Sequence, residues 1–194
     1  MAEKTLQRNA SDPPAIGFEG HVQSIGDRTI VRFPDDASAR LPSRGQVAVK
    51  AVLTVKAAPN GHAFDAVVEP DGMRGHWLEV GKKLLKALTL GDGDTVSIEV
   101  EPTKDWPEPD IPADFQAALA DAPDITEEWK SITPMARWEW VRWINATKNA
   151  ETRKRRVEVS ISKLRSGKRR PCCFDLAACT DPDLSKSGKL VDTV

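Results

Sequence analysis

SITPMARWEWVRWINATKNAETRKRRVEVSISKLRSGKRR, residues 131–170, reads as two helices joined by a tight break, rich in tryptophan first and in arginine second. Thr133-Pro134 supplies an N-cap and a first-turn proline for a helix running to about Lys148. At 100° per residue, Ala136, Trp140, Val141, Trp143 and Ile144 fall on one broad arc, a core face. Trp138 falls on the opposite side beside Arg142 and Asn145, placed to pack against the barrel or to stack on a base or sugar, with packing favoured. Asn149 caps the next helix, which runs to Ser166 before Gly167. Its buried stripe is Val157, Ile161 and Leu164. Arg153 lies four residues before Val157 on that stripe, which predicts partial burial and a carboxylate partner.

Upstream, Pro112 opens a helix through Leu119, and a short helix covers residues 123–132. The expected unit is a small four-helix domain over residues 110–170. A stiff linker with Pro102, Pro107, Pro109 and Pro112 precedes it. Before the linker the pattern changes to period two, the mark of half-buried strands. Ile16, Phe18, Gly20 and Val22 share one face, and residues 29–33 form a short second strand. Val47, Val49, Ala51, Leu53 and Val55 make a long apolar face, with Pro59-Asn60-Gly61 as a turn signal and residues 62–68 running back. Residues 75–80 and the alternating Val96, Ile98 and Val100 complete the set, separated by a helix from Lys82 through Leu84, Leu85 and Leu88. Six strands with one small helix predict a closed or nearly closed antiparallel β-barrel over residues 15–103. The fold class is α+β. Residues 1–14 and 171–194 read as flexible ends.

Charge is balanced overall, at a formal −1, but not locally. Residues 105–128 carry eight acids and no Lys or Arg, whereas residues 137–170 carry twelve bases against three acids. Such a block is either a footprint for an anionic partner or half of an internal charge match, and the acidic neighbour favours the internal match for part of it. Lys154, Arg155, Arg156 and Lys163, with Arg165, Lys168, Arg169 and Arg170, could lie along a phosphate backbone or form a solvated face. No apolar run approaches the roughly 18 to 20 residues of a membrane helix. The first residues lack the apolar centre of a signal peptide, and three cysteines, two of them adjacent, make no disulfide framework. A cytoplasmic setting follows as the expectation.

The catalytic inventory is thin. His21 lies on the polar face of its strand, His62 sits in a turn, and His76 shares parity with Leu78 and Val80, so it faces inward or caps the barrel end. No nucleophile motif accompanies the serines. Gly91-Asp92-Gly93-Asp94 is a turn, and Cys172, Cys173 and Cys179 lack metal spacing. No catalytic residue, metal or cofactor is expected.

Trp143-Ile144, Lys148, Glu151-Thr152-Arg153, Arg155-Arg156-Val157 and Gly167-Lys168 together resemble the "WI…AK…ETR.RRI…GK" string of bacterial proteins called bacteriocin-protection, or YdeI/OmpD-associated. The barrel half is similar to the domain of unknown function often fused to that helical domain, through Phe18-Glu19-Gly20-His21-Val22, Gly75-His76, Lys82-Lys83-Leu84 and Gly93-Asp94-Thr95-Val96. Thr147 departs from the usual small residue before the lysine, and Leu85 from a frequent basic residue. The resemblance implies a double-split-like barrel, a fold that DNA-binding proteins also use, and it makes a homodimer plausible. It implies no established activity, because the family names record genetic associations.

Three functions follow as expectations. The first is a non-enzymatic binding or stress- and bacteriocin-protection module, whose basic helices over 137–170 meet nucleic acid or an acidic protein, with no membrane. Its contact residues are Trp138, Arg142, Arg153, Arg155, Arg156 and Lys163. The alternative is a small-molecule binder or enzyme with a pocket at the barrel end near His76 and Lys82. The third is a structural role in which basic and acidic halves satisfy each other.

Overall fold

The computed structural model describes residues 14–56, 58–171, 175 and 177–191. The N-terminal half is a closed six-stranded antiparallel barrel, with helices following, so the fold is α+β as the period-two and helical patterns predicted. Its strands are β1 (Ile16–Ile25), β2 (Arg28–Arg32), β3 (Val47–Val55), β4 (Ala58–Pro70), β5 (His76–Glu79) and β6 (Thr95–Pro102), in the order β1-β2-β5-β4-β3-β6, with β6 closing on β1. Alternation along each strand sends one set of side chains inward. Val22, Val31, Val49, Leu53, Val68, Leu78, Ile98 and Val100 fill the interior.

Two short helices follow barrel strands. α1 (Asp35–Ala39), not anticipated from the sequence, lies after β2, and α2 (Lys82–Leu88) follows β5. α2 packs Leu84, Leu85 and Leu88 against the barrel core, and Leu85 thus stands in an apolar contact. Pro59-Asn60-Gly61 does not make the hairpin turn. These residues lie within β4, where the register against β3 shifts between Leu53 and Val55 and Gly61 takes φ +67°. His62 accordingly pairs with Leu53 inside the sheet rather than sitting in a turn.

After the proline-rich linker come α3 (Ala113–Ala120), a 3-10 turn (Pro123–Ile125), α4 (Thr126–Ser131), α5 (Pro134–Asn145) and α6 (Ala150–Arg165). Thr133 caps α5 through Ala136 N–H, and Asn149 caps α6 through Thr152 N–H at 2.8 Å. α5 stops at Asn145, three residues before the expected end, because residues 146–149 turn the chain into the next cap. Phe115, Ile125, Trp140, Ile144 and Leu164 form this domain's core. Among the described residues no helix is long and apolar enough to cross a membrane.

The expectation of a loose segment over 171–194 does not hold for residues 177–191. They carry β7 (Ser185–Lys186) and β8 (Lys189–Leu190), a hairpin turned by Ser187 and Gly188 with φ +53° and +80°. Leu184 and Leu190 are buried against Ile25, Ile30 and Trp77 of the barrel. Trp77 Nε1 donates to Thr180 Oγ1 at 2.7 Å, and Leu190 N–H donates to the Asp71 carbonyl. Two buried leucines and these bonds offset the ordering entropy that the polar composition had suggested would win. The N-terminal leader over residues 1–13, Cys172 and Cys173 lie outside the described residues.

Candidate functional site

The break between α5 and α6 builds a polar corner. Arg153, one turn into α6, reaches back so that Nη1 donates to Asn145 Oδ1 at 2.9 Å. Its Nε and Nη2 grip the Asp114 carboxylate at 2.6 and 2.9 Å, the bidentate partner its place on the stripe predicted. That hydrogen bonding, with the guanidinium charge, holds the Asp114 carboxyl below the usual carboxylate range. Thr147 Oγ1 accepts from Asn149 N–H and fixes the turn, so the residue that departs from the family pattern has a local role.

Arg28 enters the same corner from the start of β2. Nη1 donates to Asp181 Oδ2 at 2.7 Å, Nη2 donates to Glu79 Oε2 at 2.6 Å, and the guanidinium lies over the Trp77 ring. Burial alone would lower its pKa, but the bond and charge of Glu79, with Asp181, more than offset this and raise it. Lys148, from the turn between the helices, places Nζ 3.5 Å from Asp183 Oδ1. Arg28, Lys148 and Arg153, with Asn145 and Thr147, line a cavity of about 650 Å3 together with Asp181-Pro182-Asp183 of the C-terminal segment. Three cations from two domains thus converge on one opening.

The other expected site residues are dispersed. His76 is buried at the start of β5, bonded through Nδ1 to Ser38 Oγ at 2.7 Å and through Nε2 to the Gly45 carbonyl at 3.3 Å. Burial lowers its pKa, opposed by the bond to Gly45. Lys82 is exposed, beyond the opposite end of β5, so the structure does not bring these two together. Trp138 is half-buried, and its Nε1 donates to the Pro107 carbonyl of the linker at 2.7 Å. Arg142 is buried between the domains, 3.2 Å from Glu69 of β4, and donates to the Cys179 carbonyl. Arg156 donates to the Trp143 carbonyl at 2.6 Å and lies over its ring, and burial lowers its pKa.

Arg155 is exposed and Lys163 is half-exposed. Neither they nor Lys154 and Lys168 pair with a carboxylate among the described residues. Lys154 and Lys163 lie on opposite sides of α6, nine residues being about two and a half turns. The bases therefore form no single ridge. Much of the block is matched internally: Arg137 pairs with Glu108, Arg153 with Asp114, Arg165 with Asp124 and Arg170 with Glu139. Three of those acids come from the acidic stretch 105–128.

A second opening lies on another side of the domain seam. Trp106 and Met135 face Ser43 and Gln46 across adjoining clefts of about 330 and 750 Å3. Gln46 is buried, donates through Nε2 to Glu69 Oε1 at 2.5 Å, and leaves its Oε1 without a hydrogen-bond partner.

The two halves of this geometry correspond to two described families. Residues 18–100 match a domain of unknown function, DUF1905, and residues 108–167 match the family described as "Bacteriocin-protection, YdeI or OmpD-Associated". Each match covers one of the two domains and less than half of the chain. No curated protein matches it. The range matching the YdeI/OmpD-associated family supplies Asn145, Thr147, Lys148 and Arg153 to the cavity, the range matching DUF1905 supplies Arg28, and Asp181 and Asp183 come from beyond both. Sequence reasoning had placed Arg153 among the site residues and used Lys148 as a helix end and as part of the resemblance. It passed over Arg28, Asp181 and Asp183, for which no motif or periodicity gave a signal.

Proposed function

We propose that the protein is a non-enzymatic binding module that takes an anionic ligand at the seam between its two domains. One observation carries this: Arg28, Lys148 and Arg153 converge, from strand, turn and helix, on a single cavity with the amide of Asn145 beside them. Guanidinium and ammonium groups lining one recess favour phosphate or carboxylate oxygens. Both ring nitrogens of His76 are engaged by Ser38 and Gly45, which weighs against an acid–base centre there.

Isothermal titration of the full chain with inorganic pyrophosphate, at low and near-physiological salt, tests the reading. Saturable binding that weakens with salt and falls about tenfold in Lys148→Gln is the expected result. Lys148 is exposed, so this substitution leaves the fold intact. No binding at low salt, or binding indifferent to Lys148→Gln, overturns it.

A second reading places nucleic acid along α6, supported by the absence of carboxylate partners at Lys154, Arg155, Lys163 and Lys168 among the described residues. Fluorescence anisotropy of single- and double-stranded oligonucleotides distinguishes it. Binding abolished by Arg155→Glu with Lys163→Glu, and unaffected by Lys148→Gln, would move the contact from the seam to the helix.

A further inference from the structure

The lining of the seam cavity holds carboxylates beside the cations, and they belong to the chain. Asp181 holds Arg28 at 2.7 Å and Asp183 holds Lys148 at 3.5 Å, across the Asp181-Pro182-Asp183 corner. The corner is shaped for this. Asp183 N–H donates to Asp181 Oδ1 at 2.9 Å, Leu184 N–H donates to the Asp181 carbonyl, and Pro182 fixes the backbone between the two carboxylates. It is also anchored on both sides. Thr180 bonds to Trp77 and to the Gly188 carbonyl, while Leu184 and Leu190 are buried.

We infer that Asp181 and Asp183 are the resident counter-ligands of the anion site, and that they restrict it to multiply charged anions of the diphosphate kind. The inference rests on the seam reading above. Because the hairpin is anchored, the two carboxylates cannot diffuse away, and they compete as tethered groups at an effective concentration on the order of millimolar or more. A singly charged ligand offers Arg28 or Lys148 nothing that the aspartates do not already give. A diphosphate brings more charge and more acceptor oxygens, enough to engage Arg28 and Lys148 at once while Arg153 keeps Asp114 and Asn145. Displacement at Lys148 needs no unfolding. The Asp183 and Lys148 side chains are 76% and 62% exposed, so that pair opens by rotation about side-chain bonds while Leu184 stays buried.

The test compares the native full chain with Asp183→Asn, and separately with Asp181→Asn, by isothermal titration with pyrophosphate, inorganic phosphate and acetate. Asp183 is exposed, so its variant keeps the fold, and circular dichroism checks Asp181→Asn. The native chain is expected to bind pyrophosphate and to refuse acetate. Asp183→Asn is expected to bind pyrophosphate about tenfold more tightly and to admit inorganic phosphate. If the native chain binds pyrophosphate through Lys148 but Asp183→Asn and Asp181→Asn leave affinity and selectivity unchanged, the counter-ligand role is wrong and the seam reading stands. If neither the native chain nor either variant binds any of the anions, the seam reading falls and this inference with it.

Discussion

Nη1 of Arg142 on α5 stands 3.2 Å from Oε2 of Glu69 on β4, with both side chains buried where the helical domain meets the barrel. Gln46 steadies the other carboxylate oxygen, and the Cys179 carbonyl accepts from Nη2 of Arg142, so barrel, helices and C-terminal segment meet at one ion pair. Burial pushes the Glu69 carboxyl up, against the pull of Arg142 and Gln46. Removing Arg142 leaves a buried acid without its counter-charge. Arg142→Met should therefore destabilise by about 3–5 kcal/mol in urea unfolding, and adding Glu69→Leu should recover a large part of that loss. A double variant no better than the single one would mean the pair is not what couples the domains.

His76 gives the fold a pH dependence of known sign. Burial holds its folded pKa below the ordinary value of 6.5, so the unfolded chain binds the proton more readily. Its contribution to stability is complete above pH 6.5 and is lost as pH falls through 6.5 toward the lower folded value. Urea midpoints of the native chain should drop between pH 7.5 and 5 more steeply than those of His76→Gln. Parallel profiles would remove the histidine from the account.

The hairpin docks on Gly72, where φ is +77° and a Cβ would collide with the Gly188 backbone. Gly72→Ala combines backbone strain with that clash, and a cost of about 1–3 kcal/mol follows. Limited proteolysis should cut the segment after residue 177 faster in this variant than in the native chain. Equal cutting rates would show that the hairpin does not need the close approach.

On the outer face of α6, Arg155→Glu removes no ion pair found among the described residues, and it should change stability by no more than about 0.5 kcal/mol. Arg153→Lys on the inner face should cost more, because a lysine cannot span both Asp114 oxygens and Asn145 as the guanidinium does. Thermal melts of the two variants should separate clearly, with the arginine-to-lysine change the lower. The reverse order would contradict the assignment of these two arginines.

Local pattern determined the elements and their class. Alternation in residues 16–22, 47–55 and 95–100 wrote the barrel strands, because a strand's side chains repeat every second residue whatever surrounds them. Thr133 and Asn149 set the starts of α5 and α6, since a cap bonds to backbone only three residues away. The spacing of Arg153 on its stripe likewise announced a carboxylate partner. What sequence left open depended on distance. Asn60-Gly61 carries the same local signal in a bulge as in a turn, and only the register of β4 on β3 decides between them. Polar residues 177–191 look unable to bury a core by themselves, and they succeed because the barrel offers Ile25, Ile30 and Trp77 to Leu184 and Leu190. The seam cavity joins Arg28, Lys148 and Asp181, residues far apart in the chain whose charges are uninformative one by one. Sequence by itself determined a barrel followed by helices and an arginine awaiting its acid. Which cations share an opening, and which acids hold them, was decided by tertiary packing, because Coulomb attraction depends on separation in space and not along the chain.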